Sequence, residues 1–346
     1  YDTIITYDAS GNMVKTLKLR PTALPGFDSV TTAGSLGNYY IIYGTNLGSA
    51  TKLTFNGYNA YFNRALLTDQ SIVVQVPSKT PYIHPQANDS LVITTLNGKV
   101  SYKFSILPPP PTVSSFSDYN FSAGSQITLT GVGFASVTSV AVSGAGGTGT
   151  TSIVSQNDSV LVLTFNAATL TRGILIFTYT AAGTTRTAND TQELVDIDNA
   201  TQVFTDGYAP SWGSWSWGTA APSTTIAKTG TTSFAALYGA NSWWIDGFRA
   251  GGGNATDGFA YTPDYKYLSF WVHGGNADQT IFIEWGNQGF ANGGGNMINQ
   301  YPVPAGKWTY YKIPINNLFW NTSNSNWAAN SSQNLNTVGF FMNSNT

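Results

Sequence analysis

Tyr40–Leu47 reads YIIYGTNL, and Ile127–Phe134 reads ITLTGVGF. Each is an alternating run that ends in Gly, one further residue, Asn or Gly, and then an apolar side chain. Period-two alternation is the pattern of a strand with one buried face, and glycine beside asparagine marks the place where such a strand turns. A second pair, Thr68–Val74 (TDQSIVV) and Gln156–Val162 (QNDSVLV), recurs at nearly the same offset, about 87 residues. Two motifs repeated together at one distance predict two copies of the same sandwich in tandem.

Working outward, short β-rich runs separated by Gly, Asn, Asp and Pro fill the first 190 residues: YYIIYGTN, SIVVQVPS, DSLVITTLNGKVSYKFSI, SQITLTGVGF, TSVAVSG, DSVLVLTF and GILIFTYT. No segment sustains a 3.6-residue period over helical length, so the whole chain reads as β. The copies meet at Pro108–Pro111, four consecutive prolines that lack backbone donors and favour a stiff polyproline II rod over a hinge. Residues 1–20 fit neither copy and read as the end of a preceding domain or a linker. The sandwiches are expected at 21–107 and 108–190, with a third domain at 191–346.

Composition excludes several function classes. Only 9% of residues are charged, against roughly 25% in an average soluble protein, and the net charge is −2. A nucleic-acid binder needs a basic stripe, which 15 scattered Lys and Arg do not supply. No apolar run approaches the roughly 20 residues that cross a bilayer; the longest, Gly173–Tyr179, is strand-sized. With no Cys, disulfides and thiolate metal sites are ruled out. A surface of Asn, Thr, Ser and Gly points outside the cell. The chain opens at Tyr1 without Met or a signal peptide, so an exported form is expected to have lost its targeting segment.

All ten tryptophans fall between Trp212 and Trp327. Three of them, Trp212, Trp215 and Trp217, stand in SWGSWSWG with only Ser and Gly between. A core strand would surround indoles with interlocking aliphatic side chains. Trp243 and Trp244 stand between Asn-Ser and Ile-Asp-Gly, Trp285 precedes GNQGFANGGGN, and Trp320 and Trp327 flank NTSNSN. Aromatics in polar, glycine-rich segments are poor core candidates. In KYLSFWVHG, by contrast, alternation puts Leu268, Phe270 and Val272 on one face and Trp271 on the other.

The residues of the repeat resemble the IPT/TIG family of immunoglobulin-like domains. The first copy carries its pattern at Gly44–Leu47, Thr51–Asn56, Asp69–Val73 and Val76-Pro77. The second, from Thr112 to about Thr187, keeps Gly131 and Asp158-Ser159-Val160 but has Phe165-Asn166 for Val-Pro. From about Glu193 the succession of strands resembles carbohydrate-binding jelly rolls, above all at Tyr267–Val272 and Trp308–Leu318, where the resemblance makes Trp308 a framework residue. Those modules close with a further strand after the position of VGFFMN, so one is expected beyond Thr346. The fold expected is all-β: two tandem immunoglobulin-like sandwiches followed by a jelly-roll β-sandwich. In architecture the chain resembles the surface glycan-binding lipoproteins of Bacteroidetes polysaccharide-utilisation systems, though it lacks their lipobox cysteine.

That resemblance implies non-catalytic capture of a polysaccharide or oligosaccharide at the cell surface, with a β-glucan the first guess. The partner it implies is an outer-membrane glycan transporter, and membrane contact comes only through a lipid anchor. An accessory region of a secreted glycoside hydrolase and a protein-binding adhesin remain alternatives. A pyranose stacks its C–H face on an indole while amides, carboxylates and guanidinium groups bond its hydroxyl rim. The glycan-binding residues expected are therefore Trp212, Trp215, Trp217, Trp243, Trp244, Trp285, Trp320 and Trp327, with Asn241, Asp246, Arg249, Glu284, Asn287 and Gln288. Glycoside hydrolysis needs two facing carboxyl groups; only Asp246 and Glu284 stand within two residues of a tryptophan. His84 and His273 lie too far apart in sequence to suggest a zinc site or triad, and Gly251–Asn254 lacks the lysine of a phosphate loop. No cofactor is expected beyond a structural calcium, for which Asp196, Asp198 or Asp206 are the oxygen donors the jelly-roll resemblance offers.

Overall fold

The computed structural model describes residues 2–19, 23–216, 218–239, 244–254, 256–286, 300–318, 320–321, 326–327 and 334–342. Among them there is no α-helix; strands and three single 3-10 turns make up the regular structure. The chain divides into two compact units, Tyr1–Ala200 and Thr201–Thr346.

The first unit opens with a hairpin, Asp2–Tyr7 against Met13–Leu19. Its turn is closed by the Asp8 carboxylate, which accepts from the amides of Ser10 and Asn12 at 2.9 Å. The first sandwich follows. One sheet holds Gly26–Ser29, Tyr39–Thr45 and Ser71–Gln75; the other orders Gly98–Lys103, Ser90–Thr95, Ala50–Phe55 and Tyr58–Ala60. Ile42, Leu53, Phe55, Ile72, Leu91, Ile93 and Phe104 fill the space between them, each fully buried.

The repeated motif explains how each sandwich is pinned. A Cβ on Gly44 would stand 2.1 Å from the Gly26 carbonyl oxygen, and one on Gly131 would stand 2.0 Å from that of Thr112. The first strand of each copy passes too close for any side chain. Two residues on, Asn46 (φ 56°) and Gly133 (φ 78°) are left-handed, the conformation that Gly and Asn adopt at least cost. That turn drives Leu47 and Phe134 into their cores with no exposed surface. The Asp-containing motif receives it: Gly44 N donates to Gln70 O and Leu47 N to Asp69 O, both at 3.0 Å, as Gly131 N donates to Ser159 O (2.9 Å) and Phe134 N to Asp158 O (3.2 Å).

In the second sandwich the strand Gly147–Gln156 belongs to both sheets, pairing first with Val137–Gly144 and then with Val160–Phe165. The core is rich in phenylalanine, with Phe121 stacked on Phe165 at 4.6 Å. Its last long strand, Thr184–Asp196, pairs with Arg172–Ala181. Position 190/191, the boundary expected from sequence, lies inside this strand. The two sandwiches are joined by a hydrogen bond from the Tyr82 hydroxyl to the Asp158 carboxylate. Burial first, and then the hydrogen bond to Asp158 and its charge, raise the Tyr82 pKa.

The second unit packs a five-stranded antiparallel sheet against the pair Tyr267–His273 and Trp308–Pro314. The sheet order is Trp212–Ser214, Trp244–Ala250, Thr337–Met342, Gln279–Gly286 and Gln300–Val303. Thr337–Met342, last in sequence, is the middle strand, so this sheet is completed by a segment far along the chain from the strands it joins. Phe248, Ile281, Ile283, Trp285 and Val338 from the sheet meet Leu268, Phe270, Val272 and Ile313 from the pair.

Gly131→Ala and Gly44→Ala are each expected to destabilise the protein by about 1–3 kcal/mol, the usual cost of forcing atoms into a packed site. Urea unfolding checks this; a midpoint unchanged in both variants would contradict the close-approach reading.

Candidate functional site

The Trp-rich stretch reaches both faces of the five-stranded sheet. Ser211 is left-handed (φ 67°), and Trp212–Ser214 then joins the sheet edge opposite Phe248–Ala250. Trp212 is half-buried on the core side, 6.3 Å from the Phe259 ring. Trp215 lies on the other face: its amide donates to Gly247 O at 2.8 Å, and its ring packs on Phe282 and Phe341. The Arg249 guanidinium carbon is 3.8 Å from its ring centroid. Burial lowers the Arg249 pKa, and Nε is enclosed without an acceptor.

Two expected site residues belong to the interior instead. Trp285 is 4% exposed, edge-on to Phe259 at 6.0 Å, and Asp246 is 1% exposed in register with Phe340. Neither can present itself to a sugar, because both alternate onto the core side of their strands. Burial raises the Asp246 pKa; Ser216 and Gly218 oppose the shift, though neither carboxylate oxygen has a well-formed hydrogen bond. Nearby, the Tyr238 hydroxyl donates to Phe340 O at 3.0 Å, and burial together with the Asp246 charge raises its pKa. With Asp246 enclosed, it cannot face Glu284 across a glycosidic bond.

Trp217, Asn241, Trp243, Asn287 and Gln288 lie outside the described residues. The backbone of Trp244 pairs with Met342, that of Glu284 with Gly339, and Trp320 stands opposite Trp327 in a short ladder. The carboxylates expected to hold calcium are occupied by local donors. Asp196 accepts from Asp198 N and Asn199 Nδ2, both at 3.0 Å, and Asp198 from Ala123 N at 2.8 Å. Asp206 accepts from Thr231 N at 2.6 Å and from Thr232 N, and these donors lower its pKa. Among the described residues no group of three or more His, Asp or Glu gathers to hold a metal ion.

The pair Tyr267–His273 and Trp308–Pro314 carries an aromatic ladder that the sequence reading missed. Leu268, Phe270, Val272, Tyr311 and Ile313 pack inward, so Tyr267, Trp271, His273, Trp308, Tyr310 and Lys312 alternate outward. Trp271 is opposite Tyr310, with centroids 5.1 Å apart, and His273 is opposite Trp308 at 5.2 Å. Trp308 is thus not a core framework residue; it stands half-buried on the outward side. Lys228 Nζ lies 4.3 Å from the Trp271 ring and Lys312 Nζ 4.4 Å from the Tyr267 ring. The row from His273 to Tyr267 extends about 20 Å at strand rise. The signal for it was the second alternation, in which Trp308, Tyr310 and Lys312 take the odd positions of one strand and Trp271 and His273 those of the other.

Residues 25–106 match the IPT/TIG domain. A curated IPT/TIG domain-containing protein of Bacteroides ovatus is 29% identical over 119 residues, 34% of this chain and 24% of its own length. The chain therefore spans about a quarter of that relative. Among solved structures, the surface glycan-binding protein PbSGBP-B from Prevotella bryantii aligns over 92% of both chains at 16% identity and TM-score 0.44. SGBP-B from a complex xyloglucan utilization locus in Bacteroides uniformis aligns over 93% of this chain and 94% of its own, at 15% identity and TM-score 0.41. SGBP-B of the Bacteroides ovatus mixed-linkage glucan utilization locus, in complex with a mixed-linkage heptasaccharide, covers 91% and 74%, at 13% identity and TM-score 0.26.

Because burial raises the Asp246 pKa, the folded chain holds that proton more tightly than the unfolded one. Stability therefore falls as pH rises from the ordinary carboxylate value of 3.8 through the raised folded value. Asp190 shifts in the same direction, so the test is the variant and not the parent profile alone. Asp246→Asn is expected to raise the melting temperature by a few degrees near pH 7 and to match the parent near pH 3. A lower melting temperature at pH 7 would contradict the assignment of Asp246 to the core.

Proposed function

We propose that this chain captures a neutral polysaccharide without cleaving it, and that the outward ladder of the second unit is the main contact surface. The observation that carries the reading is the row Trp308–His273, Tyr310–Trp271 and Tyr267, held on a packed sheet with its rings directed away from the core. Rigid aromatics give large contact area at little entropic cost, and strands position them better than loops. Trp215 with Arg249 stacked on it supplies a second aromatic and a donor on the other sheet. Trp217, Trp243, Trp244, Trp320 and Trp327 remain candidates to extend the set.

A β-glucan is the first ligand to test, since flat glucosyl faces suit successive rings. Asp246 is enclosed and so is not available to pair with Glu284, which supports binding without bond cleavage as the proposed outcome. Display on the cell surface through a lipid anchor, beside an outer-membrane importer, completes the proposal.

Affinity electrophoresis through gels containing mixed-linkage β-glucan, xyloglucan, xylan or mannan tests it. One polymer is expected to retard the chain, and Trp271→Ala with Tyr310→Ala to weaken that retention about tenfold, equivalent to about 1.4 kcal/mol. Retention unchanged in the folded double variant would contradict the ladder as the contact surface.

A further inference from the structure

The first sandwich carries an exposed aromatic face to which the proposed function gives no role. In the strand Tyr39–Thr45 Ile42 and Gly44 are buried and Tyr40 is partly buried, while Tyr39, Ile41 and Tyr43 are 70%, 49% and 49% exposed. The neighbouring strand sets Gln75 opposite Tyr39, Val73 opposite Ile41 and Ser71 opposite Tyr43. On the far side of Ser71–Gln75, Phe62 bridges Val74 and turns inward, leaving the adjacent Tyr61 81% exposed. The face is thus a patch of three phenol rings around Ile41 and Val73. Tyr39 and Tyr43 lie about 14 Å apart along the strand.

Outward sheet faces are normally polar, and the opposite sheet of the same sandwich follows that rule with exposed Lys52, Lys99 and Lys103. The strands Tyr39–Thr45 and Ser71–Gln75 hold no charged residue at all. Charges of each sign stand at the border of the face, exposed Asp28 on the third strand of the sheet and Arg64 over the Phe62 ring. A strongly acidic or basic partner therefore finds little to pair with, and protein partners are commonly steered by charge. A neutral polymer with apolar ring faces and a hydroxyl rim matches both halves of the surface. It can stack on protruding phenols and bond to the phenol hydroxyls, Ser71 and Gln75 Oε1; the Gln75 Nε2 already donates to Gly37 O at 2.7 Å.

We infer that this face of the IPT/TIG-like sandwich is a second glycan-contact surface, taking the same class of neutral polysaccharide as the C-terminal unit. The inference rests on the proposed function for its ligand class and on Tyr39, Tyr43 and Tyr61 for its place. Two weak surfaces on one chain raise retention on a long polymer through effective concentration, while a short oligosaccharide engages only one.

Hydroxyl-radical footprinting of the full chain, read by mass spectrometry with and without mixed-linkage β-glucan or xyloglucan, separates the two claims. Oxidation of Tyr39, Tyr43 and Tyr61 is expected to fall at least threefold in one polymer. Tyr39→Ala with Tyr61→Ala is expected to weaken retention on that polymer severalfold while leaving affinity for its short oligosaccharides unchanged. Unchanged tyrosine oxidation alongside protected C-terminal tryptophans would overturn this inference and leave the proposed function standing. Protection of neither group would overturn both. Protection that grows with protein concentration in the absence of polymer would assign the face to a second copy of the chain and overturn it as well.

Discussion

Each sandwich of the N-terminal unit depends on one backbone approach, the first strand's carbonyl lying about where a Cβ of Gly44 or Gly131 would be. Close approach leaves the turn two residues later little freedom, and the left-handed Asn46 and Gly133 send Leu47 and Phe134 inward. The Asp motif accepts the resulting amide donors in both copies. Steric exclusion, backbone conformation and hydrogen bonding thus select the same four-residue solution twice, the agreement between levels that marks a well-specified fold. The copies then diverge at one carboxylate. Asp69 approaches Gly48 N within its own sandwich, whereas Asp158 accepts from Tyr82 of the other.

The C-terminal unit is organised by a different economy of side chains. Its buried core is mostly aliphatic and is flanked by a cluster of rings, with Phe204, Tyr208 and Phe234 packed on the buried Phe248 and on one another at 4.5–6.4 Å. With both sheets held by that core, aromatics on the outward side are not needed for burial. Lys228 and Lys312 stack on the ladder instead of covering it with aliphatic bulk, contacts worth about 0.5–1 kcal/mol at exposed sites.

Much of the first unit was legible in its sequence, because both motifs of the repeat are local and each residue's role is set within a few positions. The separation of Leu268, Phe270 and Val272 from Trp271 onto opposite faces was legible for the same reason. Asp246 and Trp285 were misplaced because proximity to glycine and tryptophan in sequence says nothing about which face a strand turns inward. That is fixed by pairing with Thr337–Met342, which enters the sheet from far along the chain. The ladder was hidden by the same non-locality. Trp271 and Tyr310 become neighbours only when two strands about 40 residues apart align, and each strand taken alone looked like framework. The expected boundary at 190/191 falls within the strand Thr184–Asp196, whose polar residues give no local sign that the strand continues.

The most direct test of glycan capture is intrinsic tryptophan fluorescence of the full chain, titrated with mixed-linkage β-glucan, xyloglucan, xylan and mannan while reducing ends are assayed in parallel. All ten indoles lie in the C-terminal unit, so the emission reports on that unit alone. The account predicts a saturable shift with one polymer and no new reducing ends. A folded protein whose emission responds to none of them, or one that releases reducing ends, would contradict it.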